Sequence, residues 1–549
     1  MPIPRACRIG GDPGSTRNCH ESEQIYFLTL SSASYLEIVL GHRTIELEQI
    51  LSATTDNQAP SSGLRRQLGL LGLAATGICS MLGASIYVIP FMIQRNVPGI
   101  GDWVLPAFLF AAVPALLAAM AYAILASAMP RAGGSYLYAS RGLHPYLGFV
   151  ASFSQWFGLS IVIGVIAYII VPFFRDIAIA LEWTNAAVLL DTGIVRVGLA
   201  LAMIWGFVWV NVLGGKFYER TLIPMMFIMF LLGGIVIVAG FYFDQADFAA
   251  SLLERENRTV PEGNASFDLA TFLAAAAILF SSFIGFDAIS QAGGEAKRPG
   301  RNLPLAIGIA ILTVGTYYFL FTAAVYHAVP WSFVAEEAMT KDITAPGLFS
   351  YLLPGVWALA IVLGAAIALI NDLPAMLLAV SRLMFAWAED GIFPRWIARV
   401  HPEHHTPRTA ILLSGVMASI GILGSHFAGD LFLGVDIMVT SMLVNFLLMC
   451  VTVLSLPNRN PALAREVKVL TARPWQLLIA GAGVVMLSGF LIIHVAKDLT
   501  ADTAAWYFHS TPVWLIVMTM ATGIYFRELR KLKREGVDID ALFKELPPE

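Results

Sequence analysis

Residues 76–90 read Thr76-Gly77-Ile78-Cys79-Ser80-Met81-Leu82-Gly83-Ala84-Ser85-Ile86-Tyr87-Val88-Ile89-Pro90, a run of small residues inside an uncharged apolar stretch. Leucine or isoleucine would be cheaper in lipid at that depth. A second stretch of the same kind, Ser281-Ser282-Phe283-Ile284-Gly285-Phe286-Asp287, falls at similar depth in another apolar run. A turn that leaves the helix uncovers main-chain N–H and C=O groups. Hydrocarbon cannot meet them, so such a turn is tolerated only around a polar guest in a buried cavity. Close packing of neighbouring helices on Gly77, Gly83 and Ala84 is the alternative for either stretch alone. The pairing of two interruptions five spans apart instead predicts a binding site where two discontinuous helices meet at the interface of an inverted repeat.

Working outward, 57% of the 549 residues are hydrophobic and only 13% charged, against about one quarter charged in a soluble domain. Runs of about 20 apolar residues, enough to cross a core about 30 Å thick, recur twelve times. They cover roughly Leu68–Gln94, Trp103–Ser127, Tyr146–Phe173, Ile194–Leu213, Thr221–Phe243, Leu269–Gly293, Leu303–Val329, Val356–Trp387, Ala410–Phe427, Leu431–Leu456, Leu477–Ala496 and Trp506–Phe526. The expected fold is an all-α membrane protein of about twelve transmembrane helices. A first repeat covers about 68–243, a second about 269–456, and two extra helices lie at about 477–526. Residues 1–67 form a polar tail or surface helix, and 531–549 a second tail.

With twelve spans the connections alternate between two faces, and one face carries 22 of the 34 Lys and Arg residues against 7 on the other. Cytoplasmic connections are the ones enriched in these residues. Both termini are therefore expected in the cytoplasm, with the chain in the plasma membrane and in contact with lipid. No signal peptide is recognisable, so the first span is expected to direct membrane insertion.

The net charge of −4 gives no reason to expect a nucleic-acid partner. Cys7, Cys19, Cys79 and Cys450 have neither disulfide nor metal-ligand spacing. His401, His404 and His405 sit in a Pro-flanked basic loop and are read as loop residues rather than metal ligands. Two glycosylation sequons, at Asn257 and Asn264, carry no weight on their own. No nucleophile elbow, phosphate-cradling loop or metalloprotease helix occurs, so neither an enzyme nor a cofactor is expected.

The stretch LGASIYVIP (82–90) resembles the G-S/T-G-I-F-x-x-P signature of the amino acid, polyamine and organocation transporter superfamily. FIGFDAISQAGGEAKRPGRNLPLAI (283–307) resembles its sixth span, followed by a turn with Glu, Lys-x-Pro and Asn-x-Pro. AMPRAGGSYLYASRGL (128–143) and AEDGIFPRWIARVHPEHHTPRTAIL (388–412) add two further matches in order, so the resemblance runs from about residue 68 to about 530. Three departures stand out: Ser85 replaces the second glycine of the signature, Ile124 stands where many relatives have Glu, and Met229 lies near a lysine that some proton-coupled relatives carry.

The resemblance implies a LeuT-like five-plus-five inverted repeat with broken helices one and six, working as a secondary transporter of amino acids. It also implies the site. A substrate carboxylate would meet amides near Gly83, Ala84 and Ser85, and its ammonium would meet carbonyls near Met81, Ser281, Phe283 or Ile284. Phe280, Phe283, Met376 and Gln155 or Trp156 would complete a pocket suited to a neutral, apolar amino acid. Asp372, mid-span before Pro374, is an ionisable group at membrane depth and so a functional candidate. It would hold Na⁺ with span-one carbonyls or carry a proton, or else satisfy backbone freed by Pro374. Asp287 would gate, read a cationic substrate or cap the helix after the break. Two alternatives stand beside the neutral reading: a cationic amino acid or polyamine permease, and a sensor or partner subunit that binds its ligand without moving it. Oligomeric state is not legible.

Overall fold

The computed structural model describes residues 63–83, 85–264, 266–428, 432–501 and 505–547. The polar head, its expected surface helix and Ala84 thus lie outside the described residues. A bilayer offers backbone groups no partners, so apolar runs close their hydrogen bonds internally as helices. Among the described residues no strand forms, and the one isolated bridge joins Leu68 to Ala296.

In chain order the helices are α1 (Leu70–Met81), α2 (Ser85–Asn96), α3 (Val104–Ala128), α4 (Gly134–Gly142), α5 (Pro145–Ala180), α6 (Thr184–Leu190), α7 (Gly193–Val212) and α8 (Gly215–Tyr242). There follow α9 (Gln245–Glu256), α10 (Leu269–Leu279), α11 (Ala288–Gln291), α12 (Pro299–Ala328), α13 (Trp331–Ala338), α14 (Ala345–Phe349) and α15 (Gly355–Glu389). The last are α16 (Arg408–Ala428), α17 (Phe432–Arg459), α18 (Pro461–Arg465), α19 (Arg473–Thr500), α20 (Ser510–Arg534) and α21 (Ile539–Leu542).

Eleven of the helical stretches among the described residues are long and apolar enough to cross a bilayer. The expected twelfth span differs. Its residues form the helix α20, but Ser, Thr and Gly among the apolar residues and a run of Arg and Lys at its end keep it out of that set of eleven. Leu231 and Val238 on α8, each 72% exposed, illustrate the apolar outer surface that lipid would cover.

α5 and α15, at 36 and 35 residues, run longer than the spans expected there. A straight helix of that length rises about 54 Å, so it must tilt or project beyond the hydrocarbon. His144 accepts the Tyr146 amide, and Pro145 opens α5 at a position where its missing N–H costs nothing. α5 is the central post, packing against α15, α16 and α17. Its contact with α16 depends on small residues: a Cβ on Gly421 would lie 3.2 Å from the Gly164 Cα, the close approach that holds helices together where hydrophobicity cannot.

Candidate functional site

The site is built where α1 stops. Leu82 leaves the helix (φ −84°, ψ 67°), its amide still bonded to the Ile78 carbonyl at 2.8 Å, and α2 restarts at Ser85. Span six stops in the same way. α10 ends at Leu279, a tight turn covers Phe280–Phe283, Ile284 is extended (ψ 132°), and α11 begins at Ala288. Gly285 sits between at φ +136°, a conformation that favours glycine, and a Cβ there would strike the Ser80 carbonyl. The two interruptions therefore cross in backbone contact.

The carbonyl of Met81, at the end of α1, accepts the Tyr318 hydroxyl from α12 at 2.5 Å. Tyr318 also meets Phe108 and Phe283 with ring centroids 5.8 and 6.0 Å away, while Phe283 and Phe108 are 5.3 Å apart. Phe283 thus stands over the break in α1. Phe280 points elsewhere, packing on Phe446 of α17 and Phe490 of α19. Ser281 donates to the Ile278 carbonyl at 2.7 Å, whereas the buried Ser282 hydroxyl has no partner.

Asp372 lies mid-way along α15, only 4% exposed. One carboxylate oxygen is packed so closely on Gly83 that a Cβ on the glycine would overlap it, and Oδ1 has no hydrogen-bond partner. Its neighbour Asn371 donates to the Cys79 sulfur at 2.8 Å. Asn211 of α7 donates to the Pro374 carbonyl at 3.3 Å. Met376 is buried one helical turn on from Asp372.

Asp287 is fully buried and makes no side-chain cap bond to α11. The Gln155 amide of α5 donates to its Oδ2, and Oδ1 has no partner. The Gln155 oxygen in turn accepts from Ser135 at 2.5 Å and from Gln291 at 3.1 Å. Gln155 therefore holds Asp287, while Trp156 packs tilted against Phe153 and edge-on against Trp387 with its indole N–H unpartnered. Among the described residues neither aspartate forms an ion pair.

Buried pairs instead lie at the ends of α15 and span six. Arg382 donates to Glu295 at 2.6 and 2.9 Å, and Arg141 of α4 grips Asp390 through both nitrogens at 2.5 and 2.8 Å. The amides of Gln67 and Leu68 bond the Glu295 carbonyl at 2.8 and 2.9 Å, fastening the approach to α1 onto the end of span six.

The structure brings Met81, Gly83, Phe283, Ile284 and Asp372 together around the crossing. Gln155 and Asp287 form a separate polar cluster, and Phe280 faces the scaffold. Sequence reading missed Tyr318, Phe108, Asn371 and Tyr87. Tyr87 carried a signal, since it adds a hydroxyl where the quoted signature has Phe, and that hydroxyl is buried without a partner. His401 accepts the amides of Glu403 and His404 at 3.2 and 3.3 Å and so organises its own loop.

The model of the amino acid permease family matches residues 68–521. The chain is 29% identical over 393 residues to cationic amino acid transporter 4 of Mus musculus, covering 66% of this chain and 56% of that one, so it spans little more than half that relative's length. It is 24% identical over 498 residues to the branched-chain amino acid permease BcaP of Bacillus subtilis (strain 168), covering 90% and 99% of the two chains. To the methylthioribose transporter of the same bacterium it is 24% identical over 493 residues, covering 87% and 96%. An all-helical membrane fold with this family match and relatives that are transporters rather than enzymes makes the chain a member of the amino acid permease family, within the amino acid, polyamine and organocation transporter superfamily.

Proposed function

We propose that the chain carries a neutral, apolar amino acid across the membrane by alternating access about the crossing of α1–α2 with span six. The observation that carries this reading is the backbone contact of Gly285 with Ser80 beside the buried Asp372 carboxylate. Main-chain groups at the two interruptions suit a zwitterion: in this reading amides around Gly83 and Ser85 take its carboxylate, while carbonyls at Phe283 and Ile284, with the second lone pairs of the Met81 and Ser281 carbonyls that Tyr318 and the Ile284 amide leave over, take its ammonium. Phe283 and Met376 supply apolar contact for the side chain, and Phe280 and Trp156 back the wall from behind. Asp372 takes Na⁺ or a proton, because a bare carboxylate oxygen in a low-dielectric site is costly without one. Asp287 acts with Gln155 as part of the gate.

In this reading the chain spans the plasma membrane twelve times as a five-plus-five repeat plus two helices, α20 being the twelfth, and both termini are cytoplasmic because the Lys and Arg residues collect on that face. A second reading, a cationic amino acid permease, is favoured by the bare Oδ1 atoms of Asp287 and Asp372. Counterflow in proteoliposomes with labelled leucine, phenylalanine, lysine and arginine, sodium and pH being varied independently, tests both. Leucine exchange well above lysine exchange is expected. The reverse order selects the cationic reading, and ligand binding without exchange or accumulation removes transport altogether.

A further inference from the structure

At the Lys- and Arg-rich end of the molecule, away from the crossing, a cleft of about 900 Å³ opens between the end of α3, the start of α12 and the segment before α19. Arg66, Arg131, Arg298, Arg301 and Lys468 line it, and no Asp or Glu does so among the described residues. Arg298, Arg301 and Lys468 are exposed at its mouth, unlike Arg141 and Arg382, which are buried and each matched to a carboxylate. Arg298, Arg301 and Lys468 form no ion pair among the described residues.

The backbone adds to the charge. Arg298 adopts φ +46°, and its carbonyl takes the amides of Arg301 and Asn302 at 3.1 and 3.0 Å, so the cleft lies at the N-terminus of the 30-residue α12. The positive end of that dipole reinforces the three side chains. From the cleft, Leu305, Ile309 and Leu312 form an exposed aliphatic stripe up one face of α12, with Leu312 63% exposed. Polar cations at one end and a lipid-facing apolar track at the other match the two halves of a phospholipid.

We propose that this cleft binds a phosphate group, supplied by the headgroup of an anionic phospholipid whose acyl chain lies along Leu305, Ile309 and Leu312. Free phosphate shares the headgroup chemistry and is the other source. The placement in the cytoplasmic leaflet rests on the orientation proposed above, whereas phosphate binding does not.

The test uses the full chain, purified from nanodiscs of phosphatidylcholine doped with phosphatidylglycerol, with retained lipid per protein counted by native mass spectrometry. The cleft variant Arg298→Gln/Arg301→Gln/Lys468→Gln is compared with Lys531→Gln/Lys533→Gln/Arg534→Gln at the end of α20, which removes equal charge elsewhere. Phosphatidylglycerol retention is expected to fall roughly ten- to hundredfold in the cleft variant and little in the other. Equal loss in both, or no loss in the cleft variant, overturns the proposal. Should the triple variant not yield monodisperse protein, Arg301→Gln and Lys468→Gln are measured singly, each expected to lose about fivefold. Added inorganic phosphate separates the sources: retention insensitive to it assigns the lipid, and phosphate binding in pure phosphatidylcholine discs that the cleft variant loses assigns the free ion. Labelling Arg298→Cys with a membrane-impermeant maleimide, in a Cys7→Ser/Cys19→Ser background, reports the side independently. Labelling from outside would reverse the proposed orientation and leave the lipid result standing.

Discussion

Asp287 and Asp372 are both buried carboxylates beside a helix interruption, yet the protein treats them in opposite ways. Asp287 has one oxygen met by the Gln155 amide, which Ser135 and Gln291 fix in turn. Asp372 has Oδ1 unmet and its other oxygen pressed against Gly83. Burying a carboxylate costs several kcal/mol unless donors or a cation replace the lost water. Part of that cost is offset from within at Asp287, and little of it at Asp372. Nearness to a break is therefore not enough to assign a role; the two carboxylates differ in the number of donors that meet them.

The largest expected effect comes from Asp372→Asn, which keeps the shape and removes the charge. Concentrative uptake should fall about tenfold or more and lose its dependence on sodium or pH, while substrate binding persists. Uptake that keeps its ion dependence would break the contrast between the two aspartates. Gln155→Leu should destabilise the protein by about 2 kcal/mol, because Asp287 then loses its donor. Thermal melting in detergent measures this, and adding Asp287→Leu should cost less than the sum of the two single changes. Gly83→Ala drives a methyl into the Asp372 carboxylate, with an expected loss of about 1 kcal/mol in the same melt and a shifted ion affinity. A melt unchanged from the parent would mean that the carboxylate has room to retreat.

A third carboxylate, Glu337 on α13 outside the membrane spans, provides the smallest effect. Burial raises its pKa, but hydrogen bonds from Lys341 and Arg258 outweigh that and leave it below its ordinary 4.5. A lowered folded-state pKa stabilises above the unfolded value and loses the benefit as pH falls through the folded one. Glu337→Gln should therefore cost less than about 1 kcal/mol at neutral pH and nothing in strong acid. A constant difference between parent and variant melts across that range would show that charge is not involved.

Much of the scaffold was readable because a bilayer imposes one rule, a run of about 20 apolar residues per helix. Gly193–Val212 begins and ends within one residue of the expected fourth span. α4 escaped that rule, since its nine residues are all buried yet include Ser135, Ser140 and Arg141; only tertiary partners such as Asp390 and Gln155 explain how they are held. α20 was readable as a helix, but its Thr and Ser content dilutes the apolar signal. Gly285 lies in the run of small residues that stood out in the sequence, and the Ser80 carbonyl leaves no room for a Cβ there, whereas Gly83 is crowded by the Asp372 side chain rather than by backbone. Which side chains face the crossing was not legible, because the choice between Phe280 and Phe283 depends on where Tyr318, Phe446 and Phe490 stand in space.

Beyond α21 the segment through Pro547 folds back across α4. The carbonyls of Leu542 and Glu545 take Arg141 at 3.5 and 3.2 Å, that of Lys544 takes Asn460 at 3.0 Å, and Phe543 lies under the guanidinium at 5.3 Å. The arginine that clasps Asp390 thus also carries this strap, so α4 cannot part from α15 without the strap feeling it. A fluorophore placed on Lys544 would sit at a mechanical junction and would register any loosening of that clasp long before the helices themselves had travelled far.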